Sequence, residues 1–286
     1  MDETYAYRFG GIERLYSAED LAWLGQAHIA VVGVGGVGAW TVEALARSGV
    51  GTLTLIDWDD ICITNVNRQL HALDGTLGKA KVDVLAERVR AINPSCTCHA
   101  VRAFYTKENA EELLGQGFDC VVDAIDGVSA KCHLIASCRQ RRIRIVTVGG
   151  AGGRIDPTRI ETADLSRAYK DPLLAYVRKK LRQKYEFPRD TRKRFRVDCV
   201  FSPEEIRLPP ACEPSENMRL DCASGYGAAT FVTGTFGFVA AARALERVLT
   251  RKRATSERQL AAEENLSQST RLNATQHGCN HPRLIL

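Results

Sequence analysis

The sequence predicts an α/β fold: a mostly parallel sheet with helices on both faces, followed by a smaller irregular C-terminal region. Three observations predict it. Short apolar runs alternate with helix-length amphipathic segments as far as about residue 155, and a glycine-rich turn joins one such run to the helix after it. At 286 residues and 45% hydrophobic content, the chain can bury one large core or one core plus a small lobe.

In chain order, residues 17–26 start at Ser17 with Asp20 three positions on, a pattern close to a capping box ahead of a short amphipathic helix. "HIAVVGVGG" reads as a buried strand running into a turn, 37–48 as a helix and "GTLTLIDWD" as a second strand. "KAKVDVLAERVRAINP" is an amphipathic helix that Pro94 follows. A third strand fits 97–103, a helix 106–115, a fourth strand "FDCVVDAID", a helix 129–141 and a fifth strand "IRIVTVGGAGG". Strands that alternate with helices in this way build a parallel sheet covered on both faces. Residues 1–155 are therefore expected to form one domain, with an N-terminal arm.

The pattern breaks after that. Residues 156–220 read as irregular, proline-bearing and charged, and 178–196 hold ten Lys/Arg against two acids, either a solvated face or a strip for a polyanion. The 21 residues 222–242 carry no charge; their length permits a membrane span, but their Gly, Ala and Thr content suits a close-packed core helix, and burial is expected. Residues 156–250 are thus expected to complete the domain and to offer an RNA or dimer surface. The polar tail 251–286 is expected to be disordered.

A formal charge of +5 decides little about partners at this size. Nothing at "MDETYAYRFGG" resembles a signal peptide, so the ten cysteines are expected to be reduced thiols of a cytoplasmic protein. No CxxC pair occurs, which argues against a structural zinc.

The chemistry concentrates in two stretches. "GVGGVG", with Gly33, Gly35, Gly36 and Gly38, follows a strand and opens a helix, where small residues let backbone approach phosphates. Asp57, 24 residues beyond Gly33, ends the next strand, where a carboxylate can hold ribose hydroxyls: a Rossmann-like nucleotide site. A dehydrogenase would serve equally well to this point. Asp59 and Asp60 then add negative charge that a dinucleotide does not need and a magnesium triphosphate can use. Asn65 and Arg68 offer groups that grip phosphoryl oxygens, and Lys81 adds a point charge near a helix start. "GTLGKA" lacks the glycine spacing and the Ser/Thr of a Walker A loop. Asp123 and Asp126 end the fourth strand beside the ligand crevice; Asp126 is the candidate second magnesium partner after Asp59, or a cap for the following helix.

GVGGVG, D-x-D-D-x-x-x-x-N-x-x-R-Q, G-K-A-K and D-A-I-D together resemble the ubiquitin-activating-enzyme-like family, whose members adenylate carboxylates with magnesium ATP. "RFGGIERLY", "TNVNRQLHAL", "VTVGGAGGRIDPTRI", "VDCVFS" and "DCASGYGAAT" are similar to its branch that acts on threonylcarbamoyladenosine in tRNA, and the likeness runs from residue 8 to about 250. The resemblance implies ATP and Mg2+ as cofactors. It places the Gly33–Gly38 loop and Asp57 on the nucleotide, Asp59, Asn65, Arg68, Gln69 and Lys81 around the phosphates, and Asp126 on the metal. It also implies a homodimer in which Arg8 or Arg14 crosses to the partner's ATP. The substrate is then a tRNA bearing threonylcarbamoyladenosine, cyclised through an acyl adenylate. Cys222 is either a small buried hydrophobe or a thiol serving a cysteine desulfurase or sulfur acceptor; Cys199 carries the same two readings. The rivals are an adenylyltransferase for the C-terminus of a sulfur-carrier or ubiquitin-like protein, an NAD-dependent oxidoreductase, and a noncatalytic RNA-binding scaffold.

Overall fold

The computed structural model describes residues 3–208 and 226–276, with side chains as far as 258. Two N-terminal helices, α1 (Glu3–Leu15) and α2 (Ala18–Leu24), precede β1 (His28–Val32), α3 (Gly38–Arg47), β2 (Thr52–Ile56), α4 (Lys81–Ile92), β3 (Thr97–Val101), α5 (Ala110–Leu114), β4 (Cys120–Asp123), α6 (Val128–Gln140) and β5 (Arg144–Val148). Then come β6 (Glu161–Asp164), α7 (Pro172–Lys184), β7 (Asp198–Phe201) and α8 (Thr230–Gln276). The strands form one seven-stranded sheet in the order β3-β2-β1-β4-β5-β7-β6, parallel except for β6 against β7. The expected α/β class is what the chain adopts.

The last four residues of β1, β2 and β5, and all of β4, are buried, as central parallel strands with both faces covered must be. β3, at the edge, exposes most of its residues. The N-terminal arm is helical: Tyr5 and Phe9 of α1 pack on Leu21 of α2, and the Tyr5 hydroxyl donates to the Gly49 carbonyl. Ser17 caps α2 by accepting the Asp20 N–H at 2.9 Å, as its spacing predicts.

Three departures have physical causes. The helix expected at 106–115 shrinks to Ala110–Leu114 because the Asn109 side chain accepts from Thr106 N–H and donates to Phe104 O, fixing 104–109 as a turn. The stretch read as irregular supplies β6, α7 and β7 to the same sheet and its cover. Leu174, Val177 and Leu181 bury one stripe of α7, so the lysines and arginines from 178 to 184 belong to an amphipathic helix. The polar tail continues α8 as helix through Gln276, in keeping with its content of Ala, Glu, Gln, Leu and Arg.

By contacts the chain divides into Met1–Val248 and Leu249–Leu286. In the first unit the start of α8 buries Val232, Phe236, Ala240 and Ala241, so one face of the described part of the charge-free stretch is core, while Phe231 and Phe238 stay about half-exposed on the other. No described helix is long and apolar enough to cross a membrane. Cys222 lies outside the described residues.

Candidate functional site

The strand order reverses between β1 and β4, and a cavity of about 850 Å³ opens at the C-terminal ends of β1, β2, β4 and β5. Gly33, Gly35 and Gly36 line it. Gly33 leaves β1 with φ +84°, and a Cβ there would stand 2.9 Å from the Ala124 carbonyl oxygen, so only glycine lets the turn cross the end of β4. Gly38 acts on the turn itself and does not line the cavity. No side chain caps the start of α3, which leaves its positive end to a ligand.

Asp57 ties this turn to β2. One carboxylate oxygen accepts the Val34 N–H at 2.7 Å and the other the Asp59 N–H at 2.9 Å. Burial raises its pKa, while the two N–H groups and Lys81 oppose that rise. Each oxygen keeps lone-pair capacity for a ribose hydroxyl.

The two acids after it hold cations of the protein. Lys81, the first residue of α4, donates from Nζ to Asp59 Oδ2 at 2.8 Å, and Asp60 takes Arg102 at 2.8 and 3.0 Å. Asp59, expected as a metal partner, accepts Lys81 through Oδ2 and so aims the lysine into the cavity. The lysine side chain is 7% exposed and the carboxylate 53%, so the pair reaches from the cavity rim to a buried ammonium. Behind it lies His71, buried, both ring nitrogens without a hydrogen-bond partner among the described residues. Burial first, then the Lys81 charge, push its pKa down to about 4, so it stays neutral.

A short 3₁₀ turn over Ile63–Asn65 presents the amide and guanidinium side chains. Asn65 is buried and its side-chain Oδ1 accepts the Cys62 N–H at 3.1 Å. Gln69 packs beside Gly35, with Oε1 buried and unpartnered among the described residues. Arg68 donates from Nη1 to Thr64 O at 2.7 Å and Asn67 Oδ1 at 3.0 Å, both neutral acceptors. No carboxylate pairs with it among the described residues, so its charge is uncompensated.

Asp126 also lines the cavity, exposed and making no hydrogen bond or ion pair among the described residues. Gly127, not Asp126, caps α6, and it does so without a side-chain bond. Asp123 belongs to the floor. It is fully buried, accepting Lys131 Nζ at 2.8 Å, Thr147 Oγ1 at 2.6 Å and Ile125 N–H at 3.1 Å, so it holds the 124–126 turn on which Asp126 rides. Arg14 is exposed on α1 and Arg8 donates to Ile92 O at 3.3 Å; neither lines this cavity.

Sequence patterns did not reveal the other walls. Trp58 and Phe104, ring centroids 6.0 Å apart, form a half-exposed apolar lip, with the Arg102 guanidinium 5.3 Å from the Trp58 centroid. Trp58 directly follows Asp57, and both line the cavity, so a flat apolar surface neighbours the carboxylate. Gly149–Gly152 after β5, then Tyr226, Gly227, Ala228 and Thr233 around the start of α8, close the far side. Cys199 on β7 is fully buried, and burial raises its thiol well above the ordinary value, which leaves it a core residue.

The cavity therefore brings together the glycine turn, Arg68, Lys81, the Asp57 carboxylate and an apolar lip. Comparison with known proteins shows what the whole chain is similar to. The tRNA threonylcarbamoyladenosine dehydratase of Haemophilus influenzae is 51% identical over 251 residues, covering 87% of this chain and 96% of that one. The Escherichia coli K12 protein of the same name is 47% identical over 257 residues, with 87% and 96% covered. The crystal structure of the E. coli tRNA N6-threonylcarbamoyladenosine dehydratase in complex with ATP matches with a TM-score of 0.81 at 45% identity, over 88% of this chain and 98% of that one. Residues 12–281 match the ThiF family, and with relatives covered over nearly their whole length, the chain belongs to that family.

Proposed function

We propose that this chain is an ATP-dependent enzyme that cyclises threonylcarbamoyladenosine beside the anticodon of tRNA, with net loss of water, by adenylating the threonyl carboxylate. The observation that carries the choice is the pairing of an uncompensated cation, Arg68, with an unpaired carboxylate, Asp126, across one cavity. A dinucleotide pyrophosphate has no use for the carboxylate; a metal-bound triphosphate uses both. The dehydratases that this chain resembles support the reading, one of them solved with ATP.

A carboxylate is a poor electrophile at neutral pH. Its attack on the α-phosphorus of ATP forms an acyl adenylate and expels pyrophosphate. Arg68 and the Asp59-aimed Lys81 offset the negative charge that grows on the phosphates, and the uncapped start of α3 adds a fixed dipole. The carbamoyl group of the same nucleoside then attacks the activated carbonyl, closing a five-membered ring and releasing AMP. Because that attack is intramolecular, effective molarity supplies much of the rate and no protein thiol is needed.

Among the described residues no cluster of three His, Cys, Asp or Glu could hold a metal by itself. One free carboxylate in a phosphate-binding cavity fits Mg2+, which keeps several waters and leans on substrate oxygens. Asp126 would hold it, and the ion would neutralise phosphate charge.

The dimer belongs to the same proposal: Arg14, exposed and without an ion pair among the described residues, is free to reach a second copy. So does the RNA surface. Arg189, Lys193 and Arg194 lie on the loop between α7 and β7 and make no ion pair among the described residues, whereas Arg192 pairs with Asp190. Changing Arg189, Lys193 and Arg194 to Gln is expected to weaken tRNA binding and flatten log Kd against log salt by about 2, at roughly 0.7–0.9 for each phosphate no longer neutralised. An unchanged slope in a filter-binding titration returns the loop to a solvated face.

The reaction itself is tested by mass spectrometry of nucleosides from tRNA incubated with the protein and ATP. Threonylcarbamoyl-bearing tRNA is expected to lose the mass of one water with AMP appearing, and unmodified tRNA to stay unchanged. No mass change with the modified tRNA overturns the proposal. The sulfur-carrier alternative predicts AMP release with a carrier protein instead.

A further inference from the structure

Arg68 makes no salt bridge among the described residues, so something other than a counter-charge must fix where its head lies. Its backbone carbonyl accepts two hydrogen bonds from elements distant in sequence: the indole N–H of Trp40 on α3 at 3.1 Å, and the Thr233 hydroxyl on the first turn of α8 at 3.3 Å. The neighbouring residue is strapped to the same place. Asn67 Nδ2 donates to Ala228 O at 2.8 Å, and the Thr230 hydroxyl donates to Asn67 O. At the glycine turn, a Cβ on Gly36 would touch the Thr233 methyl at 3.5 Å and the Arg68 stem at 3.6 Å, so turn, arginine and α8 meet at one point.

We infer that Trp40 and Thr233 are positioning residues for Arg68, which makes the first turn of α8 a working part of the phosphate grip. This rests on the proposed role of Arg68. The two donors are unequal. An indole N–H has a single direction and no acceptor function. The Thr233 hydroxyl has one proton and three carbonyl oxygens in reach, Arg68 O at 3.3 Å and Ala229 O and Thr230 O at 3.4 Å each. Trp40 therefore sets the position, and Thr233 trims it. Trp40 is itself wedged against α8, over Gly234 and edge-on to Phe238 at 5.8 Å, so displacing α8 displaces the arginine by both routes.

The test is Trp40→Phe, which keeps a ring and removes the donor, together with Thr233→Val and Thr233→Ser. Each is measured as AMP formation on threonylcarbamoyl-bearing tRNA, in the parent and in an Arg68→Lys background. Trp40→Phe with Thr233→Val is expected to lower kcat about ten- to a hundredfold, the scale of a slightly misplaced catalytic group, with KM for ATP within about threefold. Thr233→Ser, which keeps the hydroxyl, is expected to restore most of the Thr233→Val loss. In Arg68→Lys the same pair is expected to add less than about a threefold loss, because residues acting through one group are not additive. Full additivity there, or an unchanged kcat in the parent, overturns the inference. If Trp40→Phe lowers melting temperature, the Val and Ser variants at 233 decide it alone. An inactive parent on this tRNA sinks the function reading, a separate outcome.

Discussion

Arg68→Ala is expected to lower tRNA-dependent ATP–pyrophosphate exchange by about 10³-fold, the lower end of what an arginine facing transferring phosphate supplies. The argument is one of uncompensated charge. Lys81 shares its ammonium with Asp59, and Arg102 shares its guanidinium with Asp60, whereas the Arg68 guanidinium hydrogen-bonds, among the described residues, only to a carbonyl and an amide oxygen. Its full charge is thus available to phosphoryl oxygens. The same geometry predicts little structural cost, because the substitution removes only two hydrogen bonds, both to neighbours in sequence. The melting temperature is expected to stay within about 2 °C of the parent, in line with a shift of roughly half a kcal/mol. Arg68→Lys retains a charge but not the planar fork and is expected to fall between the two. Exchange near the parent rate in Arg68→Ala would falsify the role.

Gly38→Ala is expected to remove ATP binding and about 3–5 kcal/mol of stability, a loss at the top of the range for a single substitution. A Cβ at Gly38 would lie 1.9 Å from the Gly33 carbonyl oxygen and 2.9 Å from its carbon. Neither is a flexible side chain, so the turn must open, and the Val34 N–H that Asp57 holds moves with it. Gly51→Ala is the control: its Cβ would lie 1.9 Å from the Gly25 carbonyl, a clash of the same size at residues that do not line the cavity. Both variants are expected to melt well below the parent. Only Gly38→Ala should lose ATP heat in calorimetry at a temperature where both remain folded. Equal ATP affinity in the two would show that the turn does not cradle the nucleotide.

The sheet was legible wherever burial wrote a continuous apolar run. β1 and β4 show one, β2 and β5 interrupt it only with threonine, and the glycine turn marks where the crevice lies. β6 does not, because "ETAD" is a polar edge strand whose residues are exposed or half-buried and leave no alternation to read. α7 is obscured by its own charge: its three buried leucine and valine positions carry the helical period, but the lysines and arginines between them dominate the composition. The cavity-lining residues on one local stretch, from Asp57 to Lys81, were legible because their spacing is short. What escaped was contact across the chain. The Trp40 and Thr233 bonds to Arg68, and the facing of Trp58 by Phe104, join residues that no periodicity relates. The partners of the acids escaped for a related reason: spacing shows that Asp59 and Asp60 stand side by side after β2, but only the fold shows that Lys81 and Arg102 reach them.

The sealed trio beneath the site constrains how this sequence can drift over generations. Asp123 and Lys131 are both fully buried, and deleting one partner of such a pair leaves a stranded charge worth about 3–5 kcal/mol. Descendants that alter either position must therefore alter the other, with Thr147 accommodating the exchange. Lineages are expected to inherit 123, 131 and 147 as one unit, and the placement of Asp126 travels with it.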